Sequence, residues 1–273
     1  AQEQLTGSEI YLDMASVGAT INIMLAAVMA KGKTTIVNSA KEPHIVDLAN
    51  FLNTLGASVK GAGTDIIRIN GVNELKGSAY SIIPDQIETG TWMIIAAATK
   101  GDITIHNCIP PHMEAITSKL LEAGANVEVG EDYIRVYADR RLRHVNIKTL
   151  TYPGFPTDLQ QPIAAAMTVA EGTSVIIETI FENRFKFLDE IRRMGAKVRI
   201  EDRVAVIEGV DKLQGAPIAA SDLRGSAALV VAGLIAEGIT EISNILYIKR
   251  GYENFIEKLN ALGAQIEVVE VAK

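Results

Sequence analysis

The chain has 273 residues, of which 48% are hydrophobic and 22% charged, a composition typical of a globular protein with one or two domains. Its formal net charge of −7 argues against a nucleic-acid surface, because duplex binding usually requires a basic face. The first seven residues contain no basic or apolar run, and the longest apolar run, residues 227–236, is too short to span a bilayer, so we expect a cytoplasmic protein with no membrane partner.

Two short glycine motifs each recur four times along the chain. The first motif supplies Gly32, Gly101, Gly172 and Gly238. The second supplies Gly56, Gly124, Gly195 and Gly263. Because the two series stay in phase, the sequence predicts four copies of a unit of about 70 residues.

Each copy begins with a predicted apolar helix, as in residues 18–30 of the first copy and 225–236 of the last. A glycine of the Gly32 type is predicted to cap the C-terminus of this helix, since glycine adopts the left-handed conformation without a Cβ penalty. A strand follows, for example residues 34–37 or 173–177. The first helix is apolar nearly all round, which predicts that it is buried in the middle of an assembly.

An amphipathic helix comes next, because apolar residues recur at helical spacing on one face. In the first copy these are Ile45, Leu48, Ala49, Leu52 and Leu55. A glycine of the Gly56 type is predicted to cap it, and two alternating strands such as 127–129 and 134–136 end the copy. The sequence therefore predicts an α/β (α+β) fold of repeated βαβαββ modules, packed three per domain, with central helices and outer sheets.

The third and fourth copies place charged residues where helices begin. Helix N-termini favour anions, and Arg184, Arg224 and Arg250 lie at equivalent module corners. If the modules share an axis, these guanidiniums converge on Asp158 and suit a small, highly charged anion. A carboxylate placed there is a candidate base toward a substrate hydroxyl.

Simpler interpretations remain open for these charged residues. Each arginine can equally be a solvated residue at the end of a helix. Glu182 and Asp222 can equally be ion-pair partners of the neighbouring arginines. Thr157 and Asp158 are also explained as a helix cap.

Neither the cysteine nor the histidines of this sequence predict a reactive site. The single cysteine, Cys108, excludes an intramolecular disulfide and is interpreted as a small core residue. The histidines show no metal-ligand spacing, and no cofactor motif is present, so no metal and no cofactor are predicted.

Several longer strings resemble one enzyme family, the UDP-N-acetylglucosamine 1-carboxyvinyltransferases, which are enolpyruvyl transferases. They run in order along the chain and comprise residues 13–20, 41–43, 61–64, 83–85, 153–160, 181–185, 221–224 and 250–252. The family has six repeats in two three-module domains, an inside-out α/β barrel arrangement. The resemblance implies that residues 1–83 are the last module of the first domain, and that residues 84–273 are the second domain, lacking a strand that the family's N-terminus provides. It also implies that the front third, with the family's reactive cysteine, lies upstream.

The family transfers the enolpyruvyl group of phosphoenolpyruvate to the 3′-hydroxyl of UDP-N-acetylglucosamine, the first committed step of peptidoglycan synthesis. The resemblance implies that Asp158 takes the hydroxyl proton and that Arg250 engages phosphoenolpyruvate. The residues that it assigns to substrate binding are Ser16, Val17, Gly18, Glu42, Thr157, Ile180, Arg184, Asp222 and Arg224.

The chain departs from the family pattern at Met14, Gln86 and Lys249, and we expect it to be weak or inactive without the upstream part, with which it is expected to associate. Two alternatives remain open. One is the sister enzyme of the same fold that acts on shikimate 3-phosphate. The other is a non-catalytic fragment that binds a nucleotide sugar.

Overall fold

The structure, a computed structural model, describes residues 4–269. They form two compact units that divide between residues 84 and 85, with residues 150–154 grouped with the first unit. Each unit has its own hydrophobic core. The predicted assignment of residues 1–83 and 84–273 to the family's two domains stays a prediction.

The first unit is one βαβαββ module. Its elements are β1 (Glu9–Tyr11), α1 (Val17–Ala27), β2 (Lys33–Val37), α2 (Pro43–Thr54), β3 (Ser58–Lys60) and β4 (Ile66–Asn70). The sheet has the order β1-β2-β4-β3, with β1 parallel to β2 and the other pairs antiparallel. The predicted apolar face of α2 is confirmed, since Ile45, Ala49 and Leu52 are buried.

The second unit holds the other three copies. Its helices are α3 (Gln86–Ala98), α4 (Glu114–Glu122), α5 (Thr157–Met167), α6 (Lys186–Arg193), α7 (Leu223–Ile235) and α8 (Phe255–Ala261). Its strands are β5 (Asp102–His106), β6 (Asn126–Val129), β7 (Tyr133–Tyr137), β8 (Ile147–Lys148), β9 (Thr173–Ile177), β10 (Lys197–Glu201), β11 (Val204–Glu208), β12 (Leu213–Gln214), β13 (Pro217–Ala219), β14 (Ala236–Glu237) and β15 (Glu241–Ser243). Two 3₁₀ helices complete it, Pro110–Met113 and Ile245–Arg250.

The first helices of these three copies, α3, α5 and α7, pack against one another at the centre of the second unit. Every residue from 159 to 167 of α5 and from 225 to 232 of α7 is buried. The sheets, ordered β5-β7-β6, β10-β11-β9-β8, β12-β14 and β13-β15, are separate from one another. The prediction of central helices and outer sheets is confirmed for this unit, but the sheets do not join into one continuous barrel wall.

The second glycine series caps helices as predicted. Gly56, Gly124, Gly195 and Gly263 all have positive φ and directly follow the C-caps of α2, α4, α6 and α8. In the first copy, Ala57 N donates to Leu52 O and Gly56 N donates to Asn53 O, at 3.0 Å each, which is the Schellman pattern. The other three copies repeat both bonds.

The first glycine series does not supply the left-handed residue that caps a helix, so that prediction was wrong. The helix α1 ends at Ala27, while Gly32 takes its positive φ of 90° later, in the turn that leads into β2. The reason is that Lys31 already forms an isolated β-bridge with Thr6, so the helix must end before it. In the second copy Lys100, with a φ of 54°, takes the left-handed conformation next to Gly101.

The second and fourth copies depart from the predicted βαβαββ order. No strand precedes α3, and in the segment before that helix the Tyr80 hydroxyl donates to Asp47 Oδ1 at 2.7 Å. After α8, residues 264–269 form no strand.

Cys108 is a core residue, as predicted. Its side chain is buried and its thiol lies 3.6 Å from Ile105 O. Burial raises the pKa of the Cys108 thiol, which keeps it protonated and unreactive.

None of the helices in residues 4–269 is both long enough and apolar enough to cross a membrane.

Candidate functional site

The first turn of α5 carries the candidate centre. The two carboxylate oxygens of Asp158 accept hydrogen bonds from different arginines, Oδ1 from Arg184 Nη2 at 2.6 Å and Oδ2 from Arg224 Nη2 at 3.1 Å. The Asp158 side chain is 35% exposed, whereas those of Arg184 and Arg224 are 15% and 14% exposed. A solvent-accessible carboxylate therefore lies between two largely covered cations.

Aromatic rings hold both guanidiniums in place. Arg184 lies over the Phe181 ring at 4.5 Å, and Arg224 lies over the Tyr252 ring at 5.6 Å. Tyr252 is buried, its hydroxyl is 3.0 Å from Thr91 Oγ1, and burial raises the pKa of its phenol. Burial acts to lower the pKa of Arg224, but Tyr252 and Asp158 more than offset it and leave that pKa raised, so Arg224 stays charged.

One donor of this cluster is unused. Nη1 of Arg224 is buried and has no hydrogen-bond partner among residues 4–269. Buried guanidinium N–H groups are nearly always paired, and their strongest partners are phosphate and carboxylate oxygens. The arrangement is therefore suited to bind an anion beside the Asp158 carboxylate.

The helix-cap interpretation of Thr157 and Asp158 does not hold, and neither Glu182 nor Asp222 forms an ion pair with Arg184 or Arg224. Pro156 precedes α5 and makes no side-chain cap, and Thr157 Oγ1 donates to Glu178 Oε2 at 2.9 Å. Asp222 caps α7 by accepting from Gly225 N at 2.9 Å and pairs with no arginine among the described residues. Glu182 forms its ion pair with Arg203, at 3.0 Å.

Two further predicted residues of the second unit, Arg250 and Ile180, form no hydrogen bond with the Asp158 ion pairs among residues 4–269. Arg250 ends the second 3₁₀ helix, is exposed, and makes no hydrogen bond or ion pair with any residue of 4–269. The structure therefore brings two of the three predicted guanidiniums to Asp158. Ile180 is half-buried, and its backbone N–H donates to Glu178 Oε1 at 2.8 Å.

Four predicted residues lie in the first unit, at the beginnings of its helices. Ser16 is the N-cap of α1, accepting from Ala19 N at 3.3 Å, and Val17 and Gly18 begin the helix. Gly18 is exposed, and a Cβ added to it would have no heavy atom within 4 Å, so the backbone there is open to a ligand. Glu42 precedes α2, and its Oε2 is buried without a hydrogen-bond partner among the described residues.

Sequence reasoning missed Glu178, which is 1% exposed and accepts four hydrogen bonds. The signal was present in the alternation of β9, where Ser174 and Ile176 are buried and Glu178 follows on the same face.

The described part of the chain contains no group of three or more His, Cys, Asp or Glu side chains placed to hold a metal ion.

The sequence matches the family described as EPSP synthase (3-phosphoshikimate 1-carboxyvinyltransferase) over residues 1–259. The chain is 60% identical over 264 residues to UDP-N-acetylglucosamine 1-carboxyvinyltransferase 3 of Caldanaerobacter subterraneus, covering 97% of this chain and 63% of the relative. It is 58% identical to UDP-N-acetylglucosamine 1-carboxyvinyltransferase 2 of Geobacillus kaustophilus, covering 97% of this chain and 62% of that relative. The chain thus spans less than two thirds of the length of these relatives.

Solved structures show the same fold. The enolpyruvyl transferase NikO from Streptomyces tendae superposes with a TM-score of 0.87 at 27% identity, covering 97% of this chain and 66% of that one. An EPSP synthase from Acinetobacter baumannii gives a TM-score of 0.76 at 23% identity, covering 98% of this chain and 65% of that one. The predicted enolpyruvyl transferase-like fold is confirmed by these similarities.

Proposed function

The chain belongs to the EPSP synthase (3-phosphoshikimate 1-carboxyvinyltransferase) family, and we propose that it serves the transfer of the enolpyruvyl group of phosphoenolpyruvate to the 3′-hydroxyl of UDP-N-acetylglucosamine. The observation that carries this proposal is the Asp158 carboxylate held between Arg184 and Arg224. The UDP-sugar is favoured as acceptor because relatives 54–60% identical to the chain carry that substrate in their names. The reaction commits its product to peptidoglycan synthesis, in the cytoplasm.

Asp158 is the proposed base for this transfer. The bond from the sugar 3′-oxygen to C2 of phosphoenolpyruvate forms as the hydroxyl proton goes to the Asp158 carboxylate and C3 takes up a proton from solvent. The bond between C2 and the phosphate oxygen then breaks as C3 loses a proton, which restores the double bond and releases phosphate. Arg184 and Arg224 stabilise the negative charge around this centre, since fixed cations in a covered site act without reorganisation. Arg250, exposed and unpaired among the described residues, is the proposed further contact to phosphoenolpyruvate.

The nucleotide sugar is the proposed ligand of the open helix start in the first unit. The backbone of Ser16, Val17 and Gly18 offers N–H groups of the kind that bind diphosphates, and Glu42 has a buried oxygen free to accept from a ligand. Ile180 is the proposed apolar contact to the nucleotide sugar. Thr157 and Asp222 belong to the predicted substrate contacts too, but their side chains are already hydrogen-bonded to Glu178 and Gly225.

We propose that the activity requires further modules of the same kind, supplied by the part of the relatives that this chain does not span. The helix α1 supports this proposal. Its equivalents α3, α5 and α7 are buried along most of their length, whereas in α1 only Thr20, Met24 and Ala27 are buried. Leu25 and, just beyond the helix, Met29 are 49% and 47% exposed, so an apolar surface here is open to contact with further modules.

The acceptor is tested by protection against thermal unfolding. A ligand that binds only the folded state raises the midpoint of thermal unfolding. At 100 times its Kd, such a ligand adds about 2.7 kcal/mol to the free energy of unfolding. We expect UDP-N-acetylglucosamine to protect this chain and shikimate 3-phosphate to give no protection. Protection by shikimate 3-phosphate alone would assign the chain to the sister reaction. Protection by the UDP-sugar with no phosphate release, even when the remaining modules are supplied, would make it a non-catalytic binding fragment.

A further inference from the structure

We propose that Glu178 is a positioning residue that holds Asp158 and Arg184 in the geometry of their ion pair. This inference rests on the proposed function. Glu178 directly follows β9, and its side chain is 1% exposed. A carboxylate so deeply buried is costly unless its oxygens are fully hydrogen-bonded. No Lys, Arg or His side chain of residues 4–269 forms an ion pair with it, so its partners there are all neutral donors.

Four donors use both oxygens of this carboxylate. Oε1 accepts from Thr149 Oγ1 at 2.9 Å, from Ile180 N at 2.8 Å and from Phe181 N at 3.1 Å. Oε2 accepts from Thr157 Oγ1 at 2.9 Å. Only a carboxylate accepts at both oxygens, because a glutamine in the same place has an amide nitrogen that donates. The residue type at position 178 therefore fits this set of donors.

One of these bonds fixes the beginning of α5. Thr157 is the first residue of that helix and Asp158 the second, and no side chain caps the helix at Pro156. The bond from Thr157 to Glu178 is thus the side-chain contact that ties the first turn to the end of β9. It sets the direction in which the neighbouring Asp158 carboxylate projects.

Another of these bonds fixes the segment that carries Arg184. The backbone N–H of Phe181 donates to Glu178, and the Phe181 ring lies 4.5 Å from the Arg184 guanidinium. Arg184 in turn donates to Asp158 at 2.6 Å. One buried carboxylate thus connects the backbone on both sides of the ion pair, and its loss releases the two sides from each other.

The test compares Thr157→Val with Thr157→Ser, which differ in the hydroxyl that reaches Glu178. Glu178→Gln is the second change, and Glu182→Gln is the control, because Glu182 lies on the segment that carries Arg184 but is exposed and pairs with Arg203. We expect Thr157→Val and Glu178→Gln to lower kcat about 10-fold each, the effect of one lost buried hydrogen bond, with KM changed less than kcat. Glu182→Gln should keep the activity of the wild type, and Thr157→Ser should lose less activity than Thr157→Val.

A structural readout separates this inference from the proposed function. In crystal structures of the same variants, or in the NMR signal of the Arg184 guanidinium, Thr157→Val should lose the Arg184–Asp158 contact and Thr157→Ser should keep it. This readout needs no turnover, so it stands even if no enolpyruvyl transfer is found in any variant. An intact Arg184–Asp158 contact in both Thr157→Val and Glu178→Gln would overturn the inference. Equal losses in Thr157→Val and Thr157→Ser would overturn it as well.

Discussion

Replacing Asp158 with asparagine is expected to lower the rate of phosphate release by about 100- to 10,000-fold, the contribution typical of a general base. Asparagine keeps the size of the side chain but cannot take the hydroxyl proton. It also removes the negative charge between Arg184 and Arg224, which now hold the carboxylate at 2.6 and 3.1 Å. The measurement is phosphate release from phosphoenolpyruvate with UDP-N-acetylglucosamine, made with the remaining modules of the protein present.

A surface ion pair provides the control for this change. Asp189 also pairs with an arginine, Arg192 at 2.7 Å, but its side chain is 61% exposed and it lies on α6. Exposed pairs of this kind contribute little, so Asp189→Asn should leave both stability and turnover close to the wild type. If Asp158→Asn turned over as fast as Asp189→Asn, Asp158 would not be the base.

Replacing Gly209 with alanine is expected to destabilise the protein by about 3 kcal/mol or more, at the upper end of overpacking effects. A Cβ at Gly209 would lie 1.7 Å from Ala170 O, a backbone atom that cannot rotate away. The close approach is built into the repeat, because Gly209 N donates to Gly172 O at 3.0 Å directly after β11. The loss appears as a lower midpoint in urea unfolding followed by circular dichroism.

The first unit contains the equivalent position and a control. A Cβ at Gly71 would lie 1.6 Å from Ala30 O, so Gly71→Ala should have a comparable cost in that unit. Gly77 has no atom within 4 Å of a Cβ and no positive φ, and Gly77→Ala should change the stability by less than about 1 kcal/mol. Wild-type stability in Gly209→Ala would show that the chain passes Ala170 differently.

The repeat made much of this fold predictable from sequence. Glycines kept in phase over four copies indicated one module, and Gly56 and its equivalents cap helices in every copy because left-handed backbone strongly favours glycine. The spacing of the glycines alone does not show whether a left-handed glycine caps a helix or lies in a later turn. Gly32 was therefore assigned to a helix cap, although the pairing of Lys31 with Thr6, which ends the helix early, depends on a contact distant in sequence.

The candidate site was predictable where repeat symmetry places charged residues at helix beginnings. Asp158 and Arg224 meet because α5 and α7 pack side by side, which the apolar pattern of both helices indicates, and Arg184 reaches Asp158 from the turn before α6. Arg250 was expected at the same point, but it sits at the exposed end of a 3₁₀ helix that the repeat did not predict. Which donor pairs with which acceptor, as in the Thr157–Glu178 bond, depends on side-chain rotamers that the repeat does not determine.

The most direct test of the proposed transfer is detection of its product by mass spectrometry. The chain, together with the modules that complete its relatives, is incubated with phosphoenolpyruvate and either UDP-N-acetylglucosamine or shikimate 3-phosphate. We predict enolpyruvyl-UDP-N-acetylglucosamine and an equal amount of phosphate from the first mixture, and no enolpyruvyl product from the second. Absence of product from the first mixture, with the complete set of modules folded, would contradict the proposed function.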